Sequence, residues 1–142
     1  MQVRAILQAK GTTVHTVDSG ARVADAIRLL NRHNIGAVVV VDAEGEVAGI
    51  ISERDVVRLL GRDPDGALKR PVSECMTTNV VTCDRDTPVA SLMEQMTRYR
   101  IRHIPIVEGR RLLGIVSIGD VVKRKIEETE QEALALREYI AS

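Results

Sequence analysis

The chain is written twice, and that constrains its fold more than any other feature. Displacing the sequence by 66 residues lays Thr16 on Thr82, Asp18 on Asp84, Val23 on Val89, Ala24 on Ala90 and Ile35 on Ile101. One residue is then lost in the turn between VVDAEGEVAG and PIVEGRRLLG. Beyond it, a displacement of 65 lays Gly49 on Gly114, Ile50 on Ile115, Ser52 on Ser117, Asp55 on Asp120, Val56 on Val121 and Val57 on Val122. Duplication at this scale means one supersecondary unit repeated, each copy covering apolar surface that the other cannot bury alone. With 142 residues, folding can remove roughly two-thirds of the unfolded chain's surface from water, so the pair can own a real core.

Each copy reads as helix, hairpin, helix. Val23, Ala26, Ile27 and Leu30 recur at helical spacing, as do Val89, Leu92, Met93 and Met96. The β-branched runs IGAVVVVD and IRHIPIVE follow, each with a charged, Gly-bearing turn (DAEGE, EGRR) and a second aliphatic run ending at Ser-x-x-Asp. The unbroken apolar stretch from Ala37 to Val41 predicts a strand covered on both faces, while Pro105 inside the matching run predicts an edge or a bulge. The expected class is α/β (α+β), with two pseudo-symmetric repeats, each a small β-sheet with two packed helices. The expected organisation is a first repeat with an N-terminal segment at 1–62, a Pro- and Gly-bearing linker at 63–75, a second repeat at 76–126 and a charged C-terminal helix at 127–142.

Twenty basic and twenty acidic side chains balance, so no long-range field draws nucleic acid or an anionic membrane. Phe and Trp are absent, and Tyr99 and Tyr139 are the only aromatic carbocycles, which argues against base stacking on rings and predicts an aliphatic core. No apolar run approaches a spanning helix, and MQVRAILQAKG lacks a signal peptide's apolar segment, so a cytoplasmic setting is expected. Cys75 and Cys83 have no metal or redox spacing and read as ordinary thiols. No Gly-x-Ser-x-Gly turn, metal-ligand cluster or Walker loop is present, and no enzyme activity is expected.

The Ser-x-x-Asp pairs, Ser52 with Asp55 and Ser117 with Asp120, admit two readings. Ser followed three residues later by an acid, just before an apolar run, is the capping-box pattern. The same place favours an anion, through open N–H groups and the helix dipole, and an ionised Asp can accept from both hydroxyls of a ribose diol. If the copies pair about a twofold axis, two equivalent clefts carry the same hydroxyl and carboxylate.

GIISERD and GIVSIGD, the strand cores IGAVVVVD and IRHIPIVE, and MTTNVVTCDRDTPV before the second helix resemble the tandem cystathionine-β-synthase (CBS) domain pair over about residues 10–125. The resemblance implies a stand-alone regulatory module that binds AMP, ADP, ATP or NAD(H) between its repeats and signals to a partner protein or to a disc-like homodimer. It implies one site from Ser52, Asp55, Asn79, Val80, Arg102, His103 and Pro105, and a second from Ser117, Asp120, Thr13, Val14, Ile35, Gly36 and Ala37. Phosphate is expected on Arg102 and His103, with Lys10 and Arg54 as weaker candidates. The first repeat has IGAVVV where the second has IRHIPI, so unequal affinities follow. Lacking a ring, the base would lie between aliphatic side chains. The inosine monophosphate dehydrogenase activity attached to some carriers of this module is excluded, since there is no room for a catalytic barrel. The rival is a ligand-free dimerising module whose Ser-x-x-Asp stretches only cap helices.

Overall fold

The computed structural model describes residues 1–142. In chain order the elements are α1 (Val3–Lys10), β1 (Thr16–Asp18), α2 (Val23–His33), β2 (Ala37–Val41), β3 (Val47–Ser52), α3 (Glu53–Arg62), two short 3₁₀ turns, α4 (Val89–Tyr99), β4 (His103–Glu108), β5 (Arg111–Ser117) and α5 (Ile118–Ala141). The two repeats each carry a hairpin flanked by helices, so the class is mixed α/β. In the first, β1 pairs parallel with β2 and β2 antiparallel with β3; in the second, β4 and β5 form an antiparallel pair.

The hairpins turn through Gly45 and Gly109, at φ of 78° and 61°, where only glycine is unstrained. Both first helices end in a left-handed residue, Asn34 and Arg100, whose successors Ile35 and Ile101 donate back to Leu30 and Met96 at 3.1 Å. The same stop is written twice with different side chains.

Two aliphatic cores result. Val23, Ala26, Leu30, Val38, Val40, Ile51, Val56 and Leu59 fill the first; Val89, Leu92, Met96, Ile104, Ile106, Val116 and Val121 fill the second. Val38 and Val40 face the first core, yet Ala37 and Val39 on the opposite face are just as buried, so β2 is covered on both sides as its composition predicts.

Pro105 has the place that Val39 has in the first repeat. Having no N–H to offer an outer neighbour, it lies where the strand corresponding to β1 shrinks to a single parallel bridge, Cys83 to Ile106. Of the expected edge or bulge, Pro105 occupies the edge; the register shift lies beyond it at Ile106/Val107 and recurs at Val40/Val41, where the first repeat has no proline.

The segments before each repeat exchange places. Val3 and Ile6 of α1 are buried in the second core, and Val3 N–H donates to Thr87 O while Val89 N–H donates to Met1 O, each at 2.9 Å. Reciprocally, Ala67 and Val72 of the stretch read as a linker are fully buried in the first core, with Val72 N–H on Ala21 O and Val23 N–H on Arg70 O, each at 2.8 Å. The N-terminal segment, grouped with the first repeat by chain order, thus packs on the second. At the other end α5 runs unbroken across residue 126, so the second repeat's last helix and the C-terminal helix are one element.

Candidate functional site

Each Ser-x-x-Asp closes a capping box. Ser52 N–H and Ser52 Oγ donate to Asp55 Oδ2 at 2.8 and 2.9 Å, and Asp55 N–H returns to Ser52 Oγ at 3.3 Å. In the second repeat Ser117 N–H and Oγ reach Asp120 Oδ2 at 2.8 and 3.0 Å, and Asp120 N–H returns at 3.2 Å. The cap is therefore real in both copies. It does not exhaust the carboxylate: two of roughly four acceptor positions are used and Oδ1 stays free.

What surrounds the two carboxylates differs. Asp55 opens onto a cleft of about 790 Å³, within the range of small-molecule sites. The cleft lies between the repeats: Ser52, Glu53, Arg54, Asp55 and Arg58 come from the first, with Gly36, Ala37 and Ile50, and Tyr99, Arg100, Ile101, Arg102, His103 and Ile118 come from the second. Thr77, Asn79, Val80 and Val81 close the remaining side. Thr77 is fixed there by reciprocal backbone bonds with Ile50, of 3.0 and 2.9 Å, and Gly49 makes that approach possible, because a Cβ there would stand 2.5 Å from Met76 Sδ and 2.8 Å from Thr77 O.

His103 lies against Gly36, where an added Cβ would stand 3.0 Å from its Cε1. Burial above all, then the positive charges of Lys10 and Arg102, lowers the imidazole pKa below its ordinary value, against the opposing pull of Glu53 and Asp120. Four arginines, Arg54, Arg58, Arg100 and Arg102, and two acids, Glu53 and Asp55, are among the residues that line the cleft. The wall is electropositive although the chain is neutral.

Asp120 is instead taken up by α1. Lys10 Nζ lies 2.7 Å from Asp120 Oδ2 and 2.9 Å from Ile115 O, so Oδ2 receives a third donor from within the chain and the carboxylate charge is already paired. Burial raises the Asp120 pKa, but the Lys10 and Ser117 hydrogen bonds outweigh it and hold the carboxyl below its ordinary value. The pair is half-buried.

The structure brings Ser52, Asp55, Asn79, Val80, Arg102 and His103 to one cleft. Pro105 is buried two residues deeper on the His103 side of the strand rather than in the wall. Gly36 and Ala37, expected beside Asp120, line the Asp55 cleft; Thr13, Val14 and Ile35 do not. Lys10, a phosphate candidate, is on Asp120. Arg54 does line the cleft, and Arg58, Arg100 and Tyr99 join it unanticipated. The spacing of Arg58, three residues past Asp55 on one helix, was the available signal for it. Tyr99 corrects the expectation that no ring is available: it is half exposed at the cleft, with Arg98 Cζ 5.6 Å from its centroid.

No helix is long and apolar enough to cross a membrane. Comparison with known proteins finds the CBS domain family model matching residues 9–62 and 72–127. A mitochondrial CBS domain-containing protein of Arabidopsis thaliana, CBSX3, is 38% identical over 122 residues, 83% of this chain; the chain spans 59% of that protein's length. The crystal structure of the CBS-domain containing protein ATU1752 of Agrobacterium tumefaciens superposes with a TM-score of 0.84 at 45% identity, covering 87% of this chain and 92% of that one. The CBS domain pair of protein MJ0100, solved in complex with 5'-methylthioadenosine and S-adenosyl-L-methionine, gives 0.80 at 30% identity, covering 90% and 98%.

Proposed function

The chain belongs to the CBS-domain family, and from that premise we propose that it is a regulatory, non-catalytic module taking one phosphate-bearing adenosine ligand, of the AMP, ADP, ATP or NAD(H) class, in the cleft at Asp55. The observation that carries this reading is the pairing, in one cleft, of a carboxylate with two acceptor positions to spare and an arginine-rich wall. Asp55 accepts the two ribose hydroxyls while its cap persists. Arg54, Arg58, Arg100 and Arg102 face the phosphate, with His103 beside them. The base lies among Ile50, Val80, Val81 and Ile101, with the Tyr99 ring beside them.

The ligands of the MJ0100 pair support the adenosine part of the assignment. The arginines support the phosphate part, since a phosphate dianion gains more from an excess of positive charge than 5'-methylthioadenosine, which has no anionic group, or S-adenosylmethionine, whose one carboxylate is outweighed by its sulfonium and ammonium. The site at Asp120 stays closed by Lys10, so one ligand binds per chain. Occupancy favours the arrangement of the repeats that completes the cleft, by as much as the ligand prefers it, and the output goes to a regulated protein or to the assembly of the module itself.

Titration calorimetry with AMP, adenosine and S-adenosylmethionine tests the assignment. AMP is expected to bind tightest. Asp55→Asn, which keeps a capping acceptor, is expected to weaken it roughly tenfold to a hundredfold through the lost charge-assisted bonds, and Asp120→Asn to leave it almost unchanged. Full affinity in Asp55→Asn would remove the ribose assignment, and no heat of binding with any of the three ligands on the unmodified chain would favour the ligand-free module, whose helix caps are both in place.

A further inference from the structure

The family match ends at residue 127, but α5 continues to Ala141, 24 residues in all and about 36 Å long. Its first turns are held to the body on one side: Val121 is buried and Arg124 donates to Ala5 O at 3.1 Å. The opposite side carries Val122, Ile126, Thr129, Ala133, Leu136 and Ile140, spaced alternately by four and three residues. That is a heptad seam with Ile126, Ala133 and Ile140 at a and Val122, Thr129 and Leu136 at d. It has no cover within the chain: Ile126, Leu136 and Ile140 are 53, 59 and 74% exposed.

The flanking charges say what covers it. Lys125 and Glu132 fall at g, and Lys123, Glu130 and Arg137 at e. In a parallel, in-register pair of these helices, each g residue meets the e residue five positions on in its neighbour. Lys125 then meets Glu130 and Glu132 meets Arg137, each twice by symmetry. In the antiparallel full overlap Glu130 and Glu132 each meet their own copies and Lys123 meets Arg137, so every flanking ionic contact is repulsive. Only the last heptad, with Leu136 at d and Ile140 at a, has the β-branched-a, Leu-d pairing that favours two parallel strands, so the charges decide the direction.

We propose that the C-terminal half of α5 docks on α5 of a second copy of this chain as a parallel two-stranded coiled coil, a contact separate from the nucleotide cleft. Loose intrahelical bonds, such as Lys125 Nζ to Glu128 Oε1 at 3.9 Å, leave the g and e groups free for it.

Full-length Cys75→Ser chain carrying Ala133→Cys tests register and direction together. Under mild oxidation it is expected to form a disulfide-linked dimer, whereas Glu127→Cys, on the other side of the helix, stays unlinked. Sedimentation equilibrium on cysteine-free surface variants supplies the second arm. Glu132→Lys is expected to weaken dimerisation roughly tenfold by replacing two attractive contacts with repulsive ones, and Glu132→Lys with Arg137→Glu to restore it. Equal linkage at 127 and 133, no linkage at 133, or a dimer indifferent to both charge variants would each overturn the proposal.

Discussion

Arg100 holds a left-handed backbone, φ 54° and ψ 44°, at the position where the first repeat has Asn34. An arginine pays for that conformation in a way asparagine does not, by about 1 kcal/mol or slightly more, and the residue lines the cleft. Strain kept at such a place is accounted for if the side chain serves the ligand. Arg100→Asn is therefore expected to act in opposite directions: unfolding stability rises by a few tenths to about 1 kcal/mol, while AMP affinity falls. A parallel fall in both would show that Arg100 only braces the helix end. His103 gives a second signature at this scale. Its pKa is lowered mainly by burial, so it is neutral above about pH 6.5, and its contribution to stability, present there, is lost as pH falls through the lower folded value. A bound phosphate raises that pKa, so binding takes up a proton. AMP affinity is expected to increase between about pH 7.5 and 6.5, before the phosphate's own protonation near pH 6 intervenes, and His103→Gln to flatten the profile.

At the scale of elements, the paired β-branched runs with their Gly-bearing turns announced two hairpins, the apolar run Ala37–Val41 a strand covered on both sides, and the duplicated Ser-x-x-Asp two possible caps, because these follow from spacing within a few residues. It did not announce what each copy would meet. Gly49 and Gly114 hold the same place in the repeated motif, yet a Cβ on Gly49 would strike Met76 and the Thr77 carbonyl, whereas on Gly114 it would stand 3.2 Å from Leu7 Cδ2, the end of a flexible side chain. Gly49→Ala is expected to cost about 1–3 kcal/mol and to disturb the Thr77–Val81 wall, and Gly114→Ala to cost less than half as much, as thermal melts of the two variants will show. Equal losses would mean that the two copies are packed alike. The exchange of α1 and the 3₁₀ stretch between repeats was equally hidden, since Pro71 and Gly66 read as a linker while the burial of Ala67 and Val72 depends on partners about fifty residues away.

Across the whole molecule, pseudo-symmetry builds the site and is broken where it is used. Two matching Ser-Asp pairs exist, but one faces an open, arginine-lined cleft and the other is bound by a lysine 110 residues earlier in the chain. That contact could not be read from the sequence, because it depends on α1 crossing to the second repeat. The most direct test of the account is the crystal structure of the chain grown with AMP. Ribose density is expected against Asp55 and phosphate density among Arg54, Arg58, Arg100 and Arg102, with Lys10 still on Asp120. Density at Asp120 with Lys10 displaced, and the Asp55 cleft holding only solvent, would contradict it.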